Sequence, residues 1–155
     1  MTARTPIPDG GDDPPGLLER VLVPVAEDDD ARATARGLAR HLSAGAQVTV
    51  VNVVEKAGGA VDKASVEQRE MRATEAFEAF REALDDGNVE TQIRYGTDVA
   101  DTIFAAADDV DATVIAFTPR GGSRWIRLLT GDVALDLVTQ TDRPVLVLPD
   151  VEAGD

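Results

Sequence analysis

Residues 112–122 read ATVIAFTPRGG, and this stretch is the strongest indication of the fold in the sequence. Ala112 to Phe117 is an apolar run of strand length, and Thr118 to Gly122 forms a loop that contains two glycines. After Trp125 comes the pair Gly131-Asp132, where a helix is expected to start. Parallel α/β proteins hold phosphate groups with this layout of strand, glycine loop and helix start. The stretch therefore predicts an α/β protein with a candidate ligand site at this loop.

The remainder of the chain repeats the alternation of strand and helix. Apolar runs alternate with segments whose apolar residues recur at helical spacing. Such alternation implies parallel strands joined by right-handed crossovers, with helices on both faces of a doubly wound sheet. The predicted strands are residues 20–25, 47–54, 89–95 (at a sheet edge), 112–117 and 144–148. Four helices are predicted. The first begins with Asp28, Asp29 and Asp30 as N-cap and first-turn residues and ends at Gly45. The second buries one apolar stripe, Ala73, Ala76, Phe77, Phe80 and Leu84, the third follows a cap at Thr97 or Asp98, and the fourth spans about Gly131 to Thr141.

This architecture locates the candidate site. In doubly wound sheets, ligands bind outside the carboxyl ends of the strands, where the strand order reverses. The reversal usually separates the first strand from the strand that enters the glycine loop. We therefore expect the site between Pro24-Val25-Ala26 and the loop from Thr118 to Gly122.

Length and composition indicate one domain. The chain has 155 residues, no cysteine and a single histidine, which excludes disulfides, thiolate metal sites and cysteine nucleophiles. Residues 1–17, rich in Pro, Gly and Asp, are predicted to be a disordered acidic tail. Residues 18–150 are predicted to form the domain, and residues 151–155 a short acidic tail.

The charge balance argues against two classes of partner. Twenty-nine acidic residues face 15 basic ones, and the formal net charge is −14. This charge repels nucleic acid and anionic lipid, so neither a nucleic acid nor a membrane is an expected partner. The same balance, with only two Lys, favours a protein adapted to molar salt over an ordinary acidic protein. No secretory signal and no run of ~20 apolar residues is visible, so the predicted location is cytoplasmic.

The spacing from Thr118 to Asp132 resembles the signature of the universal stress protein family. Nucleotide-binding members of that family read Gly, two residues, Gly, nine residues, Gly, then Ser or Thr. Gly121 and Gly131 fit, whereas Thr118 replaces the first glycine and Asp132 the hydroxyl residue. The resemblance covers residues 20–149. Its other matching segments are residues 21–25, Gly96, residues 128–134 and residues 143–147.

The resemblance implies a topology and a dimer. It implies a five-stranded parallel sheet in the order 3-2-1-4-5. It also implies a homodimer formed by antiparallel pairing of the last strands, here Val145, Leu146, Val147 and Leu148. Without such pairing, this apolar strand would be an exposed sheet edge.

The resemblance further implies where a nucleotide would lie. In members that bind ATP, an Asp at the end of the first strand addresses the adenine and ribose, and that position here is Ala26. The end of the second strand, here Val53, lies against the base, and the glycine signature wraps the phosphates. The candidate site residues are Val25, Ala26, Val53, Phe117, Thr118, Arg120, Gly121, Gly131, Asp132 and Val133.

The departures from the signature bear on the ligand. A carboxylate at position 132 would occupy the helix N-terminus that a phosphate otherwise uses, and would repel a triphosphate. Arg120, Arg124 and Arg127 argue the other way, unless they pair with neighbouring carboxylates. We therefore expect a binding or regulatory module with weak or absent ATP binding, and keep an ATP-dependent or adenine-nucleotide-dependent switch as the alternative.

Catalysis is not expected. The only histidine, His41, has no Ser or Asp motif beside it, and the chain has neither a Walker sequence nor a nucleophile elbow. An enzyme of the wider adenine-nucleotide hydrolase-like superfamily has only fold analogy in its favour.

Overall fold

A computed structural model describes residues 15–55, 63–84, 88–119 and 136–149. Within these ranges, five parallel strands form one sheet in the order β3-β2-β1-β4-β5, which confirms the predicted topology. Residues 136–139 are also helical. The elements are β1 (Arg20–Pro24), α1 (Asp28–Ala39), β2 (Gln47–Glu55), α2 (Lys63–Leu84), β3 (Val89–Gly96), α3 (Val99–Asp109), β4 (Val114–Phe117) and β5 (Val145–Val147).

Strand β1 lies at the centre of the sheet because its sequence is apolar on both faces. Val21 pairs with Val48 of β2 on one side and with Val114 of β4 on the other. Successive side chains of a strand point to opposite faces. Val21 and Val23 accordingly pack in one core, and Leu22 packs in the other.

Helices cover both faces of the sheet. Helices α1 and α2 share the core that contains Val21 and Val23, whereas α3 packs in the core that contains Leu22. The apolar stripe predicted for α2 is confirmed, because its five residues are all buried: Ala73, Ala76, Phe77, Phe80 and Leu84.

Helix α1 differs from the prediction at both ends. Its N-cap is Glu27, in an extended conformation, and residues 28–30 form the first turn. The Asp30 carboxylate accepts the Glu27 amide at 2.6 Å, which is one half of a capping box. The helix ends at Ala39, well before Gly45, which lies in the turn before β2 with φ +92. Glycine adopts such a φ without the steric cost that a side chain imposes.

Helix α3 begins as predicted, at an Asp98 cap. The Asp98 carboxylate accepts the Asp101 amide at 2.9 Å. Gly96, at the end of β3, lies so close to this helix that an added Cβ would stand 2.1 Å from the hydroxyl oxygen of Thr102. The absence of a side chain at this position therefore sets how closely β3 approaches α3.

The remaining differences concern element ends. Strand β4 starts at Val114, two residues later than predicted. The Thr113 side chain, just before it, accepts the Arg20 amide and donates to the Leu17 carbonyl. Strand β5 is shorter by one residue at each end. Of the predicted fourth helix, residues 131–135 lie outside the described residues. In the described ranges, no helix is long and apolar enough to cross a membrane.

Candidate functional site

A cleft of about 250 Å³ opens where strands β1 and β2 end. It lies at the carboxyl edge of the parallel sheet, the edge at which doubly wound proteins bind ligands, but among the described residues it is lined by the ends of β1 and β2 and not by β4, beyond which the site was predicted. The cleft collects residues from the ends of both strands, from α2 and from the start of α3. They are Val25, Ala26, Glu27, Asn52, Val53, Val54, Glu55, Arg69, Arg72 and Val99.

Three of the sequence-predicted site residues line this cleft. Val25 and Ala26 follow β1 directly, and Val53 lies near the end of β2. Val25 continues the β-sheet pairing, because its amide donates to the Val51 carbonyl at 2.9 Å. The cleft thus presents a small apolar surface at the strand ends, and the side chain at position 26 is a methyl group.

Asn52 holds the β1 end against β2. Its buried side-chain amide donates to the carbonyl oxygens of Val25 at 2.9 Å and Ala26 at 3.3 Å. Asn52 is not among the residues predicted from the sequence to form the site. The available signal was an amide side chain in the middle of the strand, between apolar residues on both sides, since a buried polar side chain needs a partner.

Asp30 holds the same turn from the helix side. Its carboxylate accepts the amides of Ala26 and Glu27, each at 2.6 Å, and the residue is only 2% exposed. Burial raises the pKa of Asp30 to about 7, although the two amide hydrogen bonds act to lower it. The sequence did not distinguish Asp30 from Asp28 and Asp29, because burial depends on how α1 packs.

Charged side chains of both signs surround the cleft. Arg69 and Arg72 are three residues apart on α2, which places them on neighbouring positions of the helix surface. The Arg69 guanidinium donates to the Glu55 carbonyl at 2.8 Å. The carboxylates of Glu27 and Glu55 line the same cleft. A ligand with both hydrogen-bonding and anionic groups would find partners here.

Two predicted site residues are not on the cleft. Phe117 is buried in the core that contains α3. Thr118 is fully buried, and its hydroxyl accepts a hydrogen bond from Thr34 of α1 at 3.0 Å. The side chain that replaces the first glycine of the signature therefore joins β4 to α1.

The other predicted site residues, namely Arg120, Gly121, Gly131, Asp132 and Val133, lie outside the described residues. So do Arg124, Trp125 and Arg127. Their contribution to the cleft stays a prediction. In the described ranges, no group of three or more His, Asp or Glu side chains could hold a metal ion.

Comparison of the sequence with models of protein families identifies the family of this chain. The model of the universal stress protein family matches residues 18–149, which is most of the chain. The chain belongs to the universal stress protein family. No curated protein matches the sequence at a significant level.

Solved structures of universal stress proteins share this fold. One from Archaeoglobus fulgidus is 23% identical with a TM-score of 0.64, and the match covers 83% of this chain and 97% of that one. The Archaeoglobus fulgidus protein in complex with dAMP is 24% identical with a TM-score of 0.62, over 86% and 99% of the two chains. A universal stress protein in complex with cAMP is 20% identical with a TM-score of 0.61, over 88% and 100%. Likeness at this level establishes the fold alone.

The strand expected to form the dimer is at a sheet edge. Strand β5 pairs only with β4 among the described strands. Val147 is 49% exposed, whereas Leu148 is 3% exposed and packs against Gly37 of α1. Val145 and Leu146 are half-buried. In this universal stress protein, Val147 is thus the residue of the four that the edge presents most openly.

Proposed function

We propose that this universal stress protein is a dimeric binding or regulatory module of the stress response in which ATP binding is weak or absent. One observation carries the proposal. At the end of β1, where the resemblance expects an Asp for the adenine and ribose, the cleft is lined by Ala26.

The neighbouring acids do not replace that carboxylate. Both oxygens of Asp30 are engaged by backbone amides, and the side chain is buried behind the cleft. The Glu27 side chain forms the other half of the capping box with the backbone of Asp30. A ribose at this position would therefore lose the charge-assisted hydrogen bonds that a free carboxylate provides.

Adenine-nucleotide binding is the second candidate function. Arg69 and Arg72 bring positive charge to the cleft of an otherwise acidic protein. Guanidinium groups bind phosphate well because their planar fork matches its oxygens. Proteins of this fold occur in complex with dAMP and with cAMP. In this alternative, the protein is a nucleotide-dependent switch.

Calorimetric titration with Mg-ATP in molar KCl tests the two candidates, after the purified protein has been checked for bound nucleotide. If ATP binding is weak or absent, the titration should show no heat of binding at micromolar concentrations of Mg-ATP. Binding in this range would instead favour the nucleotide-dependent switch.

Two substitutions sharpen this test. The double variant Ala26→Asp with Asp132→Ser restores the family's residues and should create or greatly strengthen ATP binding. Ala26→Asn with Asp132→Ser is the matched control, because Asn has nearly the volume of Asp without its charge. A double variant that folds and binds no better than its control would contradict the role given to position 26.

The proposal includes no catalytic step. Nucleotide turnover at enzymatic rates, abolished by a substitution in the 118–132 loop, would contradict it. We also propose that the protein is cytoplasmic, that residues 18–150 form its domain between two acidic tails, and that it forms a homodimer through residues 145–148. The edge position of β5 and the exposure of Val147 support the dimer.

A further inference from the structure

The turn formed by residues 25–27 supplies one wall of the cleft, and two side chains hold it from opposite directions. Asn52 donates to the carbonyl oxygens of Val25 and Ala26. Asp30 accepts from the amides of Ala26 and Glu27. The hydrogen bonds of this short segment therefore pass largely through two polar side chains, and its position depends on both.

The hold exerted by Asp30 depends on its charge. One carboxylate oxygen accepts the Ala26 amide and the other accepts the Glu27 amide. An ionised carboxylate only accepts hydrogen bonds, whereas a protonated one carries an O–H that must donate. An oxygen that carries the proton is a weaker acceptor for its amide than a charged carboxylate oxygen, and its O–H needs an acceptor of its own. Protonation of Asp30 therefore weakens at least one of the two amide bonds.

The surroundings of Asp30 hold few compensating charges among the described residues. On α1, the Glu27 carboxylate raises the pKa of Asp30 further, and Arg32 lies near Asp28 and Asp29 at 3.8 and 3.7 Å. Glu55 of β2 and Arg69 and Arg72 of α2 line the cleft, and Glu27 is the charged neighbour that acts on the pKa of Asp30. Strand β4 is followed there by the neutral Thr118. Burial consequently dominates, and the pKa of Asp30 rises to about 7.

We propose that Asp30 is a positioning residue of the cleft, and that proton uptake by its carboxyl weakens its hold on the 25–27 turn and changes the shape of the binding site. The shape of the cleft then depends on pH in the neutral range. The inference rests on the proposed function only in taking this cleft as the binding site.

Nuclear magnetic resonance of the full chain tests the proposal without any ligand. The backbone amides of Ala26 and Glu27 and the side-chain amide of Asn52 are followed from pH 5.5 to 8.5. We expect all three to shift with one midpoint near pH 7. We also expect the exchange protection of one or both backbone amides to fall about tenfold below that midpoint, as for the loss of one hydrogen bond to a charged group.

Three variants give the control measurements. Asp30→Asn keeps the shape of the side chain without an ionisable group, so the common midpoint should disappear. Asp29→Asn changes an exposed acid on the same helical turn and should leave the midpoint in place. His41→Gln removes the only histidine and should also leave it in place.

The outcomes separate the possibilities. A midpoint that survives in Asp30→Asn, or resonances that stay constant over this pH range, would overturn the proposal. Movement of the Ala26 and Glu27 amides without the Asn52 amide would also overturn it, since the change would not reach the cleft. If Asp30→Asn fails to fold, the carbon resonance of the Asp30 carboxyl in the unaltered protein decides, because it must titrate with the same midpoint. None of these measurements requires nucleotide binding, so they fail or succeed independently of the Mg-ATP titration.

Discussion

The hydroxyl of Thr34, in the middle of α1, donates to the hydroxyl of Thr118, directly after β4, across 3.0 Å, and both residues are fully buried. This bond links residues that lie 84 positions apart in the sequence. It explains how the chain accommodates a threonine where the family's signature has glycine. The side chain turns inward and binds α1, away from the cleft.

Removal of one hydroxyl from this pair should destabilise the protein. Thr118→Val or Thr34→Val leaves a buried hydroxyl without its partner, which costs about 1–3 kcal/mol of the free energy of unfolding. The double variant replaces both groups with apolar ones of the same shape and should be closer to the unaltered protein than the sum of the single changes. Urea denaturation of the four proteins measures this, and strictly additive losses would contradict the pairing.

Gly96 should not tolerate a side chain. In Gly96→Ala, the new methyl group would overlap the hydroxyl oxygen of Thr102, so the helix must shift or the side chain must rotate. We expect a loss of about 1–3 kcal/mol in the free energy of unfolding. The second change Thr102→Ala should recover part of it, although it also removes the 2.7 Å bond to the Asp98 carbonyl. If Gly96→Ala is as costly in the Thr102→Ala background as alone, Thr102 is not the obstacle.

The stability of the protein should depend on pH through Asp30. Burial raises the pKa of Asp30 from 3.8 to about 7, so the folded protein holds this proton more tightly than the unfolded chain. The stabilising contribution of Asp30 is therefore complete below about pH 4 and lost as the pH rises to about 7. At ~1.4 kcal/mol per pH unit, the loss is at most about 4 kcal/mol.

Comparison with Asp30→Asn isolates this contribution. The free energy of unfolding is measured for both proteins from pH 4 to pH 8 by chemical denaturation. The unaltered protein should lose stability relative to the variant as the pH rises. A constant difference, or one that grows in favour of the unaltered protein, would be evidence against the raised pKa.

The proposed dimer should depend on Val147. Val147→Lys places a charge on the exposed edge of β5, and burying it against a second β5 would be costly, so the protein should become monomeric. Met71→Lys is the matched control, because Met71 on α2 is 64% exposed and lies outside the proposed interface. Light scattering after size exclusion gives the mass in solution. A Val147→Lys protein with an unchanged dimer mass would contradict the proposed interface.

The amino-acid sequence was sufficient to predict most of the helices and strands and the class of fold. Continuous apolar runs such as β1, and the apolar stripe of α2, are local signals that depend only on the periodicity of the chain. Strict alternation of such elements permits few arrangements of a sheet. The family resemblance added the strand order and placed Val25, Ala26 and Val53 among the candidate site residues.

The identity of the buried polar groups, and of their partners, became visible only in the folded protein. Positions 28, 29 and 30 all hold aspartate, yet of the three only Asp30 is buried when α1 packs against the sheet. Its carboxylate accepts the amides of Ala26 and Glu27. Thr118 likewise meets a partner distant in sequence. The burial of a side chain and its hydrogen-bond partner depend on surfaces that come together from distant parts of the chain. The local periodicity of the sequence therefore does not predict them.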